Sequence, residues 1–133
     1  MAAPIVYLGF SDVLEIHSFL IDETGGRHGL RDRGGLISIV ESPKQEVFSR
    51  VLYPTIFDKA AVYVRGVIRN HPFIDGNKRT GMTSAFVFLE DNGYYANVNR
   101  GDIEKFALRV VIKKLDIPAI AVWLKEYSRK ISK

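Results

Sequence analysis

HPFIDGNKRTG, residues 71–81, places a histidine, an aspartate, an asparagine, a lysine and an arginine within nine positions around Gly76. The segments on either side read as apolar helices, so this polar stretch is the joint on which the fold turns. Upstream, Thr55 with Asp58 fits a helix start, and Ile56, Ala60, Tyr63, Val64 and Val67 share one face. That helix is expected to end near Asn70, because a residue before proline, here His71 before Pro72, is biased out of the helical region. Downstream, a second helix is expected from about Asn77 to about Asn92, with Gly93 as its stop. Met82, Ala85, Phe86 and Leu89 fill one of its faces, and Val87 and Phe88 lie on another. A helix that is apolar most of the way round belongs in the centre of a bundle.

Working outward, Ser11 or Asp12 is a candidate cap for a first helix carrying Val13, Ile16, Leu20 and Ile21 near helical spacing. Asp12 with Glu15 has capping-box spacing. GGRHGLRDRGG, residues 25–35, holds five glycines among charges and is expected to be loop. LISIV after it reads as a helix turn or a strand. Two further helices are predicted, from Asp102 to about Lys114 and from Pro118 to about Arg129, the latter capped by Asp116 with Pro118 in its first turn. Strand signals are few: Ile5 to Leu8, LISIV and YYANV. The fold class expected is all-α, a compact bundle of about six helices with at most short β segments.

A chain of 133 residues suits a single domain with a real core, and no repeat, low-complexity segment or linker divides it. Apolar residues at 47% and charged residues at 26% argue against disorder. With no cysteine, disulfides and thiolate metal sites are excluded, which fits a cytoplasmic location. MAAPIVYLGFSD has neither a basic n-region nor a long apolar run, so neither a signal peptide nor a membrane span is expected there. The net charge of +4 comes from dispersed residues, apart from a KEYSRKISK end expected to be a solvated last turn and tail. It does not by itself indicate nucleic-acid binding, and none is expected.

The chemistry concentrates in residues 71–81. Gly76-Asn77 stands at a helix start, where free N–H groups and the positive end of the helix dipole form an anion site. Gly76 permits a tight turn and close approach to a ligand, and the Asn77 amide can donate. Lys78 and Arg79 oppose the dipole in the first turn unless an anion offsets them. Arg79 offers a planar fork for phosphate oxygens and Lys78 a mobile point charge. Asp75 is a hard-oxygen ligand suited to Mg²⁺. His71 can take a proton from an incoming hydroxyl. Together they make a phosphoryl- or nucleotidyl-transfer set. Phe73 and Ile74 are expected to point into the core. The plainer alternatives are that His71 and Asp75 only cap and pair, or that Asp75-Gly76 is a hairpin turn, though NKRT does not alternate as a strand would. His17 and His28 lie on a separate helix and loop, so a zinc site is poorly supported. No Walker sequence and no kinase HRD or DFG signature is present.

HPFIDGNKRTG resembles the signature of the Fic/Doc family, His-Pro-Phe-x-(Asp/Glu)-Gly-Asn-(Gly or Lys)-Arg. GLRDRGGL (29–36), LYPTIFDKAA (52–61) and FVFLEDNGY (86–94) resemble its death-on-curing branch, and the resemblance spans roughly residues 5–128. It implies an all-α Fic fold and transfer of part of ATP to a hydroxyl side chain of a protein. His71 would be the base and Asp75 the Mg²⁺ ligand, with Gly76, Asn77 and adjacent backbone as the anion hole and Arg79 on phosphate. Arg69 would add positive charge for ATP or target, and the glycine-rich loop with Arg31, Asp32 and Arg33 would help dock the target. Nucleotidylating members usually have glycine where this chain has Lys78. In the death-on-curing branch lysine accompanies a reversed nucleotide pose and γ-phosphoryl transfer, so the resemblance implies a protein kinase whose expected substrate is elongation factor Tu. His71-Pro72 and Gly76 match the nucleotidylating type, so protein adenylylation is the alternative; a catalytically silent antitoxin-binding module is another.

Self-inhibiting members of the family carry (Ser/Thr)-x-x-x-Glu-(Gly/Asn). Here Glu15 is followed by Ile16 and Glu46 by Val47, so inhibition is expected in trans. The resemblance implies a Phd-like antitoxin whose C-terminal segment folds into a groove.

Overall fold

A computed structural model describes residues 4–132. Met1–Ala3 of the amino-terminal reading and Lys133 of the tail lie outside the described residues. Among the described residues six α-helices run in chain order: α1 Phe10–Thr24, α2 Arg33–Glu41, α3 Ile56–Asn70, α4 Asn77–Asp91, α5 Arg100–Ile112 and α6 Ile117–Glu126, with one 3-10 turn at Ser42–Lys44. Two antiparallel strand pairs accompany them, β1 Glu46–Val47 with β2 Arg50–Val51, and β3 Tyr94–Ala96 with β4 Ser128–Lys130. The expectation of an all-α fold of about six helices is met.

The axis of the molecule is the α3–α4 pair, with α6, α1, α2 and α5 packed around it. α3 starts as its letters require: the Thr55 hydroxyl accepts from the Asp58 amide at 3.0 Å, and the Asp58 carboxylate accepts from the Thr55 amide at 3.3 Å. Ala60, Ala61, Tyr63, Val64, Val67 and Ile68 are fully buried along it. α3 and α4 approach closely because position 81 is glycine. A Cβ there would stand 2.9 Å from Ile68 Cγ1 and 3.2 Å from the Val64 carbonyl. On α4, Met82, Ala85, Phe88 and Leu89 are buried, whereas Phe86 and Val87 are half-buried on the flanks. Phe88 is thus a core residue, and Phe86 faces the cleft described below. The far side closes with the Phe106 and Trp123 rings stacked at 4.0 Å between centroids.

Several boundaries differ from expectation for identifiable reasons. α1 begins two or three residues earlier than a cap at Ser11 or Asp12 allows; Gly9 is the cap, and its N–H donates to the carboxylate of Asp12, in the first turn, at 2.7 Å. The glycine-rich loop ends at Asp32, whose carboxylate accepts from Gly35 N–H at 2.8 Å and so starts α2. LISIV is therefore helical, and Gly34 and Gly35 lie in a helix despite their cost there. α5 opens at Arg100 because Asn99 caps it, accepting from the Asp102 amide at 2.8 Å. α6 begins as expected, with Asp116 accepting from Ala119 N–H at 3.0 Å, but ends at Glu126.

Ser128–Lys130, expected as helix end and tail, instead pairs with Tyr94–Ala96 in the register Tyr94↔Lys130 and Ala96↔Ser128. Residues 5–8 form no strand. The Asn92 side chain holds them, accepting from Val6 N–H and donating to the Val6 carbonyl, each at 2.8 Å. The Tyr63 hydroxyl does the same for Leu8, accepting from its amide at 3.0 Å and donating to its carbonyl at 3.2 Å. Among the described residues no helix is long and apolar enough to cross a membrane.

Candidate active site

α3 stops where proline follows. His71 adopts the left-handed conformation (φ 49°, ψ 58°), its amide still donating to the Val67 carbonyl at 3.3 Å. The loop of residues 71–76 then leads to Gly76, also left-handed (φ 77°, ψ 18°), from which α4 departs. A side chain at Gly76 would be strained at that φ and would place its Cβ 2.9 Å from Ile21 Cδ1.

Two structures hold this loop, and neither was evident from spacing. The first is the glycine-rich loop, which runs antiparallel along it. Ile74 N–H donates to the Gly29 carbonyl at 3.0 Å, and the amides of Arg31 and Asp32 donate to the Pro72 carbonyl at 2.7 and 2.9 Å. Arg31 also donates from Nε to the His71 carbonyl at 2.7 Å and from Nη2 to the Asn70 carbonyl at 2.8 Å. A cation on the open carbonyls of a helix C-terminus is favourably placed. Arg31 and Asp32 are therefore committed within the protein, as loop clamp and helix cap. Arg33 lies over the Phe10 ring, 4.6 Å from its centroid. Arg31 and Asp32 thus serve the loop and α2 first, while Arg33 remains exposed.

The second is Asn77. Its side chain is buried and turned back into the loop, accepting from Phe73 N–H at 3.0 Å and donating to the Phe73 carbonyl at 2.9 Å. Its amide group, expected to face an anion, is a staple for Phe73 instead. Phe73 is buried as expected, but Ile74 is 46% exposed because it lies against Gly29 on the outer side of the loop.

The Asp75 carboxylate accepts from two backbone amides, Arg27 N–H at 3.0 Å and Gly76 N–H at 2.8 Å. These bonds, in that order, hold its acid form below the usual carboxylate range. Arg79 donates to the Thr24 hydroxyl and, from both Nη atoms, to the Gly25 carbonyl at 3.3 Å. The turn at Gly26 (φ 118°) fits between the two charged groups. A Cβ there would come 2.8 Å from Asp75 Oδ2 and 3.4 Å from Arg79 Nη2.

A cleft of about 680 Å³ opens beside these groups. Its polar floor is Asp75, Gly76, Asn77, Lys78 and Arg79; its apolar wall includes Phe19, Leu20, Met82, Phe86 and Ile103. The backbone amides of Asn77, Lys78 and Arg79 have no acceptor among the described residues, as expected in the first turn of a helix. The arrangement can receive a polyanion against the floor and a flat or apolar group against the wall. Three carboxylates line it, Asp75 on the floor and Glu23 and Glu104 away from it, and no cluster of three or more metal-ligating side chains occurs among the described residues. That donor set fits a Mg²⁺ delivered with phosphate oxygens and retaining water, and does not fit a metal caged by protein alone.

Five of the expected site residues thus meet on one cleft. His71 does not line it. Its side chain is exposed at the other end of the loop, tied to the floor through Pro72 to Asp75. Arg69 is exposed in the last turn of α3 and is also outside the lining, so the structure does not bring it to the anion floor.

One residue was missed. His17, on α1, is 4% exposed, stacks flat on Phe73 (3.8 Å between centroids, 6° between planes) and places Nε2 2.8 Å from the Asp75 carbonyl oxygen. Because a carbonyl only accepts, Nε2 carries the proton. Burial, the largest influence, holds the imidazolium form below its ordinary pKa, so the ring is neutral. The available signal was that His17 lies four residues from both Val13 and Ile21, on the buried stripe of α1. His28 is directed elsewhere, to the Asp22 carboxylate at 2.8 Å.

The Fic/DOC family model matches residues 7–89, which contain both loops and the floor of the cleft. The chain is 35% identical over 120 residues to "Toxin Doc" of Mycolicibacterium smegmatis, covering 89% of this chain and 90% of that protein. It is also 35% identical over 85 residues to "Protein kinase doc" of Escherichia phage P1, covering 62% of this chain and 64% of that protein. With a glycine-spaced loop-to-helix motif at its centre and relatives of the Doc kind along most of its length, the chain belongs to the Fic/DOC family as a Doc-type member.

Proposed function

We propose that this protein is the toxin of a bacterial type II toxin–antitoxin pair. It acts as a Doc-like protein kinase that transfers the γ-phosphoryl group of ATP to a hydroxyl side chain of a translation factor, elongation factor Tu being the expected target, and so blocks translation in the cytoplasm. The observation that carries this reading is Lys78 beside Arg79 on the cleft floor, where two cations stand against the positive end of α4. A triphosphate offsets all three positive contributions at once. Lysine rather than glycine at this position is the feature associated with γ-phosphoryl transfer in the family, and the phage P1 relative is named a protein kinase.

The residues divide the work. Lys78, Arg79 and the free amides of Asn77 and Lys78 bind and orient phosphate oxygens. Asp75, its carboxylate fixed by two amide bonds, is the residue that would hold a Mg²⁺ arriving with the nucleotide, which would supply charge neutralisation at the phosphates. His71, exposed at the far end of the loop, accepts the proton of the target hydroxyl as that oxygen bonds to the γ-phosphorus and ADP departs with the β–γ bridging oxygen.

The apolar wall of the cleft suits a second partner. Phe19 is 63% exposed next to Leu20, Phe86 and Ile103, a strip matched to the apolar face of a Phd-like antitoxin segment that folds on binding. Protein adenylylation is the second reading, favoured by His71-Pro72 and Gly76. Incubating the purified protein and candidate target with ATP labelled at the γ- or the α-phosphate separates the two. Transfer of γ-label only, abolished by His71→Ala, is expected; transfer of α-label only would overturn the kinase reading.

A further inference from the structure

The Asp75–Gly76 peptide joins the metal-ligand candidate to the start of α4, and His17 is the side chain that grips it. The peptide is trans, so its carbonyl and its N–H face opposite directions. The His17 Nε2–H bond to the Asp75 carbonyl therefore also aims Gly76 N–H away from α1 and at the Asp75 carboxylate. Gly76 stands at φ 77° and ψ 18°, and glycine adopts negative φ as readily, so Gly76 itself does not fix the peptide that precedes it. Turned over, that peptide would direct the Asp75 carbonyl oxygen toward its own carboxylate and remove the Gly76 N–H from it.

We infer that His17 is a positioning residue: it locks the Asp75–Gly76 peptide in the orientation that turns Gly76 N–H onto the Asp75 carboxylate and keeps the Asp75 carbonyl away from it. The ring does this from a fixed seat, held by its stack on Phe73, which Asn77 in turn staples at both backbone groups. The inference rests on the proposed nucleotide site but not on which phosphate is transferred.

Two substitutions separate donor from ring. His17→Phe keeps a flat ring on Phe73 and removes the Nε2–H; His17→Gln removes the ring and keeps an N–H of similar reach. In the nucleotide-free protein, the amide NMR signals of Gly76 and Arg27 are expected to move in His17→Phe and stay near wild type in His17→Gln. Mg·ATP binding is expected to weaken about tenfold or more in His17→Phe, the usual consequence of losing a supporting hydrogen bond behind a metal site, and to be largely preserved in His17→Gln. Unchanged amide signals and affinity in His17→Phe, or equal losses in both variants, would overturn the inference. If His17→Phe does not fold, the imidazole tautomer of the wild-type protein, read by ¹⁵N NMR, decides: a proton on Nε2 supports it and a proton on Nδ1 overturns it. A wild-type protein that fails to bind Mg·ATP refutes the proposed function, while the Gly76 and Arg27 signals still decide the role of His17.

Discussion

Replacing Asn77 by alanine asks whether this side chain holds the loop or holds the ligand. Its carboxamide makes two buried hydrogen bonds, accepting from Phe73 N–H and donating to the Phe73 carbonyl. Alanine strands both backbone groups beside a Phe73 ring that is only 1% exposed. Each stranded group costs about 1–3 kcal/mol, so about 2–4 kcal/mol is expected once partial access of water is allowed for. For a chain of this length, 1 kcal/mol corresponds to roughly 3–5 °C in melting temperature, giving a fall on the order of 10 °C. Thermal and urea denaturation of Asn77→Ala without nucleotide measures it. Nucleotide affinity is expected to fall in parallel, because the loop carrying Asp75 loosens. A variant that melts within about 2 °C of wild type yet loses Mg·ATP binding would refute the reasoning, since the amide would then contact the ligand and not the loop; a shift that small corresponds to under about 1 kcal/mol.

Three further outcomes follow from the geometry. Gly26→Ala places a Cβ 2.8 Å from Asp75 Oδ2 at a φ that alanine resists, so Mg·ATP affinity by calorimetry is expected to drop by about tenfold or more. Gly81→Ala wedges a methyl between α4 and Ile68 with the Val64 carbonyl nearby, and denaturation is expected to show a loss of about 1–3 kcal/mol. Tyr63, whose phenol is pushed upward chiefly by burial, ionises in the unfolded chain near pH 10 but resists doing so in the fold. Its contribution is therefore complete below about pH 10 and is lost as pH rises beyond it, because the unfolded state then binds fewer protons. Tyr63→Phe is expected to flatten that alkaline decline while costing about 1–3 kcal/mol at neutral pH from the stranded Leu8 groups, which a denaturation series across pH measures.

Much of this protein was written in local chemistry. Thr55 with Asp58, the proline after His71 and the left-handed glycine at position 76 are instructions that act within a few residues, and α3, the joint and α4 follow from them. The same holds for the charged groups of the floor, since Asp75, Lys78 and Arg79 sit on or beside one helix turn and must share a cleft. Boundaries set by a cap from an unexpected side, as at Gly9 and Asn99, were off by a turn or less. What the chain could not disclose locally is how its far parts use their polar groups. Asn77 has the same formula whether it faces phosphate or Phe73, and only the packing of the loop turns it inward. Arg31 reads as a surface cation until the end of α3 is laid against it. Ser128–Lys130 becomes a strand because Tyr94–Ala96 offers an edge more than thirty residues earlier in the chain. His17 looks like one polar interruption in an apolar stripe until α1 is docked on the loop. Periodicity and caps therefore determined the helices and the composition of the site. The orientation of its peptides was decided by contacts across long sequence separations, where a buried donor must find an acceptor and the chain nearby supplies none.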